Sequence, residues 1–246
     1  MVQIPEPARE RLLHIVRILE TASDPGKTFT SGELGALTGW PGHTIRKDIS
    51  YLGNDSAAEG ADAAPGGERG GYAPGRLIPR IKEALGLARR RKFCVVGLGR
   101  LGSAYLNLDA LPDEFELAAG FDINVNRVEI LKSPAPLYPA HKMGEVAGRL
   151  GIEIALLCVP AEQAQVAAEK CAAAGIRGIV NFAPRVLVLP PGSGPVIVRN
   201  VFVAGELRAL AVKMETSQIP APEGGTAGIN RQINTDGKTD TDNPEL

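Results

Sequence analysis

Cysteine, histidine and aromatic side chains are scarce in this chain of 246 residues. It holds three cysteines and three histidines, and aromatic residues make up 4% of it. Cys94, Cys158 and Cys171 are widely spaced, and the first two stand within apolar runs, which favours core packing over a disulfide or a metal site. The histidines show no ligand spacing among themselves. We therefore expect neither a disulfide nor a metal centre.

Long apolar runs are also missing. The run from Ile152 to Val159 contains Glu153 and ends at Pro160, and no other stretch approaches the length that spans a bilayer. The N-terminus has no basic and apolar leader. The hydrophobic content of 44% and the charged content of 22% are ordinary for a globular protein. We expect a cytoplasmic protein without a membrane partner.

A large excess of charge is absent too, since the net charge is −1, but the charges are unevenly spread. Residues 1–92 hold 14 Lys and Arg against 11 Asp and Glu, residues 93–214 hold 11 against 11, and residues 215–246 hold 2 against 6. The first segment is thus mildly basic and the last is acidic. A small basic excess indicates nucleic acid only weakly, and the placement of the charges matters more.

A glycine-rich turn follows a strongly apolar run. Phe93 to Val96 predicts a short buried strand, Gly97-x-Gly99-x-x-Gly102 follows it, and Ser103 to Leu108 predicts a helix. The first glycine permits a tight turn, the second lets the backbone approach a pyrophosphate, and the third lets the helix pack closely on the strand. Phosphates are then expected at the N-terminus of the helix.

An acidic residue at the end of a second predicted strand strengthens this interpretation. Leu117 to Asp122 predicts that strand, and Asp122 lies twenty residues after Gly102. This spacing suits a carboxylate that accepts a hydrogen bond from an adenosine ribose. The pattern predicts a bound dinucleotide, and Asp122 favours NAD(H) over NADP(H) because it repels a 2′-phosphate. Arg127 is the nearby cation that opposes this preference.

The N-terminal part predicts three helices. The first extends from Ala8 to Ala22, and Thr30-Ser-Gly-Glu33 has the spacing of a capping box that opens a short second helix with Leu34 and Leu37 inward. After the turn that begins at Thr38, the third helix extends from His43 to Leu52.

The last two of these helices form a candidate helix-turn-helix. Polar residues of the second one can bond phosphates and base edges in a major groove, namely Thr44, Arg46, Lys47, Ser50 and Tyr51. The alternative is a small amphipathic helix with a solvated basic face.

A segment of low apolar content separates these helices from the glycine motif. Gly53 to Gly71 predicts a linker or a flexible hairpin tip, and Glu68-Arg-Gly-Gly-Tyr72 fits a wing whose Arg69 enters a minor groove. Ile78 to Leu87 predicts a linking helix, and the basic run from Arg89 to Lys92 marks the boundary before the first strand.

From residue 93 onward, predicted strands and helices alternate, as a parallel sheet requires. Further strands are predicted at 152–159, 176–181 and 196–201, helices at 143–150, 161–174 and 205–214, and an irregular stretch at 133–142. The predicted fold class is α/β, with an N-terminal winged helix-turn-helix and a Rossmann-like doubly wound parallel sheet. The predicted domains are a winged helix at 1–76, a linker helix and basic boundary at 77–92, a Rossmann-like domain at 93–204, a C-terminal helix at 205–216 and a disordered tail at 217–246.

Over roughly residues 4–214, the chain resembles the redox-sensing transcriptional repressor Rex family. The matching stretches are Ile4-Pro5, Arg46-Lys-Asp-x-Ser-Tyr51, Gly97 to Gly102, Phe121-Asp122, Val159-Pro160 with Gln163-x-Gln165, and Ala174 to Pro184. The resemblance implies a repressor that is not an enzyme, binds operator DNA when NAD+ dominates and releases it when NADH accumulates. It also implies a homodimer in which the helix near Gly205 to Met214 swaps onto the partner.

The resemblance further implies roles for individual residues. It implies that the pyrophosphate is lined by Gly97, Leu98, Gly99, Arg100, Leu101 and Gly102, the adenosine ribose is held by Asp122, and the nicotinamide is bordered by Val159, Pro160, Asn181, Phe182, Ala183 and Pro184. The residues implied to face double-stranded operator DNA are Thr44, Arg46, Lys47, Ser50, Tyr51 and, in the wing, Arg69.

Two positions depart from the family pattern. In the family a Tyr usually lies in the helix after the glycine motif, where this chain has Leu108, and an Asp usually follows Asn-Val, where it has Phe202. In the family these positions are associated with the redox-dependent switch, together with an Arg of the first helix that is Arg17 here. Because the Leu and Phe side chains have no hydrogen-bonding group, we expect the DNA affinity to change little between NAD+ and NADH.

An NAD-dependent oxidoreductase with an N-terminal helical appendage is the alternative function. Such an enzyme needs a general acid or base near the nicotinamide, whereas Val159 to Glu162 and Asn181 to Arg185 offer mainly Asn, Phe, Ala and Pro. A CoA-binding module would share the fold but explains Asp122 and the helix-turn-helix less well. The sequence therefore favours a regulator that binds the dinucleotide without hydride transfer.

Overall fold

A computed structural model describes residues 4–21, 27–53, 71–108, 111–192 and 194–217 of the chain. Arg69, which is predicted to enter a minor groove, lies outside these ranges with most of the predicted wing. The predicted tail lies outside them from residue 218 onward. Met1–Val201 forms one compact unit and Phe202–Leu246 a second one.

Three helices build the N-terminal part because their apolar residues meet in one core. They are α1 (Glu6–Thr21), α2 (Ser31–Thr38) and α3 (Gly42–Ser50). Leu12, Ile15 and Leu19 lie on the buried face of α1, and Leu34 of α2 and Ile45 of α3 join the same cluster. The predicted helix-turn-helix is present, with helix ends within two residues of the predicted ones for α1 and α3.

The predicted capping box sets the start of α2. The hydroxyl of Thr30 accepts from the Glu33 N–H at 3.1 Å, and the Glu33 carboxylate accepts from the Thr30 N–H at 2.7 Å. Leu34 is fully buried, but Leu37 is 56% exposed, so the prediction that it points inward is wrong. Leu37 follows Leu34 by three residues, which turn a helix by about 300°. The side chain of Leu37 therefore lies beside the narrow buried face of this short helix.

A fourth helix, α4 (Pro74–Ala84), returns to this core through Leu77 and Ile81. It begins before the predicted Ile78 because Pro74 suits the first turn of a helix. Just ahead of it, Tyr72 and Phe29 form an antiparallel bridge with N–H···O distances of 2.7 and 3.0 Å. The bridge joins the residues before α2 to Tyr72, the last residue of the predicted wing.

Six parallel strands form one sheet in the order β3-β2-β1-β4-β5-β6. The strands are β1 (Arg91–Val96), β2 (Phe115–Asp122), β3 (Leu137–Pro139), β4 (Ile152–Leu157), β5 (Gly178–Asn181) and β6 (Ile197–Asn200). In this doubly wound order the winding reverses between β1 and β4, which leaves a crevice at the carboxyl ends of these two strands. The predicted α/β fold class is confirmed.

Helices cover both faces of the sheet. They are α5 (Arg100–Leu106), α6 (Val125–Ile130), α7 (Met143–Leu150) and α8 (Ala161–Ala173), with a short 3-10 helix at Ala140–Lys142. Residues of α7 and α8, such as Val146 and Ala168, pack with Cys94 and Cys171 in one core cluster, and Leu106 of α5 packs with Val95 in another. The two fully buried cysteines are therefore core residues.

Two local predictions for this part are wrong. The stretch predicted to be irregular contains β3, which Pro139 can enter because an edge strand does not need every backbone N–H for its ladder. The helix predicted from Ser103 to Leu108 is α5, which begins within the glycine motif at Arg100 and ends at Leu106. Leu108 consequently lies beyond the helix.

The second unit contains α9 (Val203–Thr216), which extends two residues beyond the prediction at each end. Its large apolar side chains are exposed, namely Val203, Leu207, Leu210, Val212 and Met214. At its start, the Phe202 ring lies 5.9 Å from the Arg208 guanidinium. Among the helices that the structure describes, none is long and apolar enough to cross a membrane.

Candidate functional site

The glycine motif forms the turn from β1 into α5, at the crevice of the sheet. Gly97 has a φ of 91°, which lies in the left-handed region, and its N–H donates to the Phe121 carbonyl at 2.8 Å. A Cβ at this position would lie 2.7 Å from the carbonyl oxygen of Cys158, just beyond β4. The ends of three neighbouring strands thus meet at one residue that has to be glycine.

The other two motif glycines have opposite surroundings. At Gly102, a Cβ would lie 1.8 Å from the carbonyl oxygen of Gly97, because α5 packs directly on the turn. At Gly99, no heavy atom of the described residues beyond its chain neighbours lies within 4 Å of a Cβ, and the φ of −70° is open to any residue. The fold therefore requires Gly102, whereas it does not itself fill the space over Gly99.

Asp122 ends β2, is buried, and braces this turn. Its Oδ2 accepts from the Leu98 N–H at 2.6 Å, and its Oδ1 accepts from the Asn124 N–H at 2.7 Å. The half-exposed Arg127 places Nη1 at 3.4 Å from the same Oδ2. A carboxylate has about four acceptor positions, so Asp122 retains capacity for a hydroxyl donor.

A cavity of about 790 Å³ covers the crevice, which is within the usual size of a cofactor cleft. The predicted nucleotide residues that line it are Gly97, Gly99, Leu101, Asp122, Val159, Pro160 and Phe182. Further lining residues that the sequence pattern did not assign come mainly from α8 and from the segments after β2 and β3, and include Asn124, Ala140, Gln163 and Lys170.

The other predicted nucleotide residues lie around the cavity. Leu98 supplies its N–H to Asp122 while its side chain packs in the core. Of the remainder, Gly102, Asn181 and Ala183 are buried, and Arg100 and Pro184 are exposed.

Two side-chain amides position the loop that carries Phe182 into the cavity. Oδ1 of Asn181 accepts from the Ala183 N–H at 3.0 Å. Gln165 of α8 donates to the Val188 carbonyl at 2.7 Å and accepts from the Val188 N–H at 3.2 Å. Both amides belong to stretches that the sequence analysis singled out, and both act on the backbone of this loop.

Tyr105 of α5 is a neighbour of the site that the sequence analysis missed. Its ring packs against that of Phe182 with the centroids 5.1 Å apart. Burial and, to a smaller extent, the nearby Cys158 thiol raise the pKa of Tyr105. The sequence feature that could have identified Tyr105 is an aromatic residue about one helical turn after Gly102.

Groups suited to proton transfer are poorly placed in this cavity. Burial raises the pKa of the Cys158 thiol to about 12, so that the thiol stays protonated near neutral pH. Each carboxylate oxygen of Asp122 accepts from a backbone N–H, and Glu162 and Lys170 are exposed on α8. No histidine occurs in the described lining, and the described residues include no cluster suited to a metal ion. The cavity can bind a ligand, and the ionisable groups in its described lining are Asp122, Arg127, Cys158, Glu162 and Lys170.

The polar face of α3 is accessible. Arg46, Lys47 and Ser50 are exposed, while Thr44 is half-buried. Nη1 of Arg46 donates to the Ser31 hydroxyl at 2.7 Å, which connects α3 to the start of α2. Tyr51, just after the end of α3, is half-buried and packs against the helical core.

An ion pair that the sequence analysis did not foresee fixes α3 against α1. The buried Asp48 accepts from Nε and Nη2 of Arg11 at 2.6 and 2.9 Å. The hydrogen bond to this carboxylate outweighs burial and raises the pKa of Arg11. The signal in the sequence was an acid inside an otherwise basic helix.

The three positions associated with a switch in the resembling family are accessible. Arg17 is exposed on α1, Leu108 is 43% exposed after α5, and Phe202 is 44% exposed at the start of α9. Neither the leucine nor the phenylalanine offers a polar group to an arginine.

The fold and these sites define a class of protein that joins a helix-turn-helix to a doubly wound nucleotide-binding sheet. A family model described as a CoA binding domain matches residues 88–185. The redox-sensing transcriptional repressor Rex of Thermus thermophilus is 40% identical over 211 residues, which is 84% of this chain and 92% of the relative. The Rex protein of Levilactobacillus brevis is 32% identical over 216 residues, or 87% and 95% of the two chains. The chain belongs to the Rex family of transcriptional repressors.

Solved structures agree with this membership. RSP, described as a Rex-family repressor, matches in complex with β-NADH with a TM-score of 0.72 and 26% identity, covering 89% of this chain and 98% of that one. RSP in complex with β-NAD+ and operator DNA matches with a TM-score of 0.71 and 25% identity, covering 89% and 96%. The resemblance found in the sequence is confirmed, and the relatives are named as repressors rather than enzymes.

Proposed function

We propose that the protein is a DNA-binding transcriptional repressor of the cytoplasm, with NAD(H) as its ligand. The observation that carries the proposal is that one chain combines two features. The open space over Gly99 and the buried carboxylate of Asp122 belong to the same crevice, and Arg46 is exposed on a helix-turn-helix. The matching RSP structures contain β-NADH in one case and β-NAD+ with operator DNA in another, which supports both ligands.

The dinucleotide follows the crevice. We assign the pyrophosphate to the turn from Gly97 to Gly102, where the first N–H groups of α5 and the gap over Gly99 suit an anion. Asp122 holds the adenosine ribose with its remaining acceptor capacity. The nicotinamide lies between Val159-Pro160 and Phe182. Phe182 belongs to the loop from Asn181 to Pro184, which the side-chain amides of Asn181 and Gln165 position.

The DNA is bound through α3. Arg46, Lys47 and Ser50 project from one accessible side, since residues three and four apart are neighbours on a helix. Thr44 and Tyr51 flank them, and we assign Arg69 of the wing to the adjacent minor groove. Arg46 can read a base edge, and the others can hold phosphates.

We further propose a homodimer that uses α9. This helix exposes Val203, Leu207, Leu210 and Met214, an apolar surface that a partner chain would cover. A single recognition helix reaches only a few base pairs, so two-fold symmetry supplies the specificity that one half-site lacks.

The domain bounds 1–76, 77–92, 93–204, 205–216 and 217–246 remain our proposal for the organisation of the chain. The core of α1 to α4 shares no buried residue with the clusters around the sheet, which supports a division before residue 93. Leu77 and Ile81, in the proposed linker, belong to that helical core.

The test of the DNA assignment is a substitution in α3. A palindromic operator is first selected from random DNA, and its binding is then measured for the wild type and for Arg46→Ala. We expect Arg46→Ala to weaken specific binding by about 1–3 kcal/mol. Arg149→Ala, which removes an exposed arginine from α7, is the matched control. Equal binding by the wild type and Arg46→Ala would contradict the assignment.

Coenzyme A is a competing ligand, because the matching family model is described as a CoA binding domain. The carboxylate of Asp122 at the strand end favours a ribose with free hydroxyls over the 3′-phosphorylated ribose of CoA. Isothermal titration should therefore give saturable binding of NADH and none of CoA. The oxidoreductase alternative predicts, in addition, that NADH is consumed in the presence of a carbonyl substrate.

A further inference from the structure

The helices and the sheet of the first unit have separate hydrophobic cores. The core of α1 to α4 contains buried residues from Ile4 to Ile81, and the other two clusters contain only residues from Phe93 onward. The chain crosses between them in the short stretch 85–90, where Gly86 has a φ of 73°. Packing within each core therefore does not fix the angle between helices and sheet, and polar contacts have to do so.

Lys82, near the end of α4, joins the two parts. Its Nζ lies 2.6 Å from the carboxylate of Glu20, near the end of α1, and 2.5 Å from that of Glu114, just before β2. The side chains of Lys82 and Glu114 are only 22% and 10% exposed. Burial opposes both charges, but the hydrogen bonds between the groups outweigh it, raising the pKa of Lys82 and lowering that of Glu114.

Glu114 depends on this contact. Its Oε2 is buried and has no hydrogen-bond partner among the described residues, so Lys82 is what compensates the buried carboxylate. A second ion pair between the two parts, Arg199 with Glu10, is 3.9 Å long and joins side chains that are 76% and 63% exposed. Such exposed pairs contribute little, and the lysine is the stronger connection.

The same helix is tied to the recognition helix. Nη2 of Arg80 donates to the carbonyls of Leu52 and Gly53, just beyond α3, at 3.3 and 2.8 Å. Arg80 and Lys82 are two residues apart on α4. Anchoring α4 to the sheet therefore also anchors the end of α3.

We propose that Lys82 is a positioning residue for DNA recognition, which sets the angle at which α1 to α4 are held against the sheet. In a homodimer, this angle fixes the separation of the two recognition helices and hence the spacing of the half-sites. The inference rests on the proposed function as a dimeric DNA-binding protein. A single half-site is read by one α3, so its affinity does not depend on the angle.

The experiment measures binding to the selected palindrome, to versions with one or two base pairs inserted between the half-sites, and to an isolated half-site. Glu114→Gln weakens the link to the sheet while Lys82 keeps its pair with Glu20, and the double variant Lys82→Met with Glu114→Gln removes that link without leaving a buried charge. Glu20→Gln removes only the contact with α1 and serves as the comparison within the helical part. Lys82→Arg is the conservative rescue. Glu83→Gln, which changes an exposed acid next to the lysine, is the control.

We expect the wild type, Lys82→Arg and Glu83→Gln to prefer the native spacing by about tenfold or more, a difference typical of one or two misplaced contacts. The double variant should reduce this preference to about threefold or less, and Glu114→Gln should lower it in the same direction, while half-site affinity stays unchanged. Glu20→Gln should keep the preference of the wild type. If the double variant does not fold, Glu114→Gln decides alone, since it leaves the pair of Lys82 with Glu20 intact.

Two results overturn the inference. One is a spacing preference in the folded Glu114→Gln and double variants that equals that of the wild type. The other is an equal loss of half-site and palindrome binding, which indicates a merely structural role. A wild-type protein that binds no palindrome at all overturns instead the proposed function on which the inference rests.

Discussion

The carboxylate of Asp122 accepts a hydrogen bond from the N–H of Leu98 at 2.6 Å. This contact ties the end of β2 to the turn after β1, so the acid holds the glycine motif in shape before any ligand arrives. The proposed contact with a ribose thus adds to a structural role. The carboxylate that we propose to select the nucleotide therefore also orders the loop that we propose to receive its phosphates.

Nucleotide preference follows from this acid. We expect the wild type to bind NAD(H) more tightly than NADP(H), because a buried carboxylate repels a 2′-phosphate. Isothermal titration with all four nucleotides measures the preference, and tighter binding of NADPH than of NADH would overturn the assignment. Arg127 lies against Asp122 and should contribute little to NADH affinity. We therefore expect Arg127→Ala to bind NADH about as tightly as the wild type.

The motif glycines should separate binding from folding. Gly99→Ala has room in the described structure, so we expect an unchanged melting temperature together with NADH affinity weakened by about tenfold or more, which corresponds to about 1.4 kcal/mol. Gly102→Ala meets the carbonyl oxygen of Gly97, and we expect destabilisation of about 4 kcal/mol or failure to fold. Thermal unfolding and fluorescence titration provide the two readouts. Tight NADH binding by Gly99→Ala would show that the gap is not the phosphate site.

The buried Asp48 makes Arg11 important for stability. Arg11→Met leaves that carboxylate without its cation, and we expect a loss of about 3 kcal/mol in the free energy of unfolding. Arg9→Met, at an exposed position of the same helix, is the control. Chemical denaturation measures both variants. If they unfold at the same denaturant concentration, the ion pair does not hold α3 in place.

Glu153 should contribute to the pH dependence of stability. Its Oε2 accepts from Arg89, Arg177 and Arg91 at 2.6, 2.6 and 3.1 Å. Burial opposes the charge, but these hydrogen bonds prevail and lower the pKa of Glu153 from its ordinary value of 4.5. A lowered folded-state pKa gives stability that is present above the unfolded value and is lost as the pH falls through the folded value.

Glu153→Gln tests this contribution. We expect the variant to melt at a lower temperature than the wild type at pH 7. The difference should shrink as the pH falls below the ordinary value of 4.5 and through the lowered pKa of Glu153. Melting curves between pH 7 and pH 3 suffice. Because all other acids are common to both proteins, a difference that persists at the lowest pH would have another cause.

Local patterns predicted much of this structure, and contacts between distant segments escaped them. The capping box at Thr30, the turn at Gly97 and the acid at Asp122 each depend on neighbouring residues or on a regular strand spacing, and all are present. The pairing of Arg11 with Asp48, by contrast, joins residues 37 apart, and the contacts of Lys82 depend on how the helices meet the sheet. Nothing in the spacing of residues encodes those partners.

The redox response is where this chain is expected to depart from its family pattern. A ligand shifts an equilibrium only through its different affinities for the two states. Leu108 and Phe202 provide no polar contact that could distinguish NADH from NAD+ through Arg17. The competing hypothesis is that NADH does change the DNA affinity. In that case Leu108 and Phe202 would pack at a dimer interface and form a replacement switch, since packed interfaces can be bistable.

Operator binding at fixed salt with no nucleotide, with saturating NAD+ and with saturating NADH tests the account most directly, since phosphate contacts make the affinity depend on salt. The account predicts a sequence-specific complex in all three conditions. Its operator affinity with NAD+ and its operator affinity with NADH should differ by less than about tenfold, or about 1.4 kcal/mol of coupling. The absence of a specific complex, or a complex that NADH weakens by more than about tenfold relative to NAD+, would contradict it.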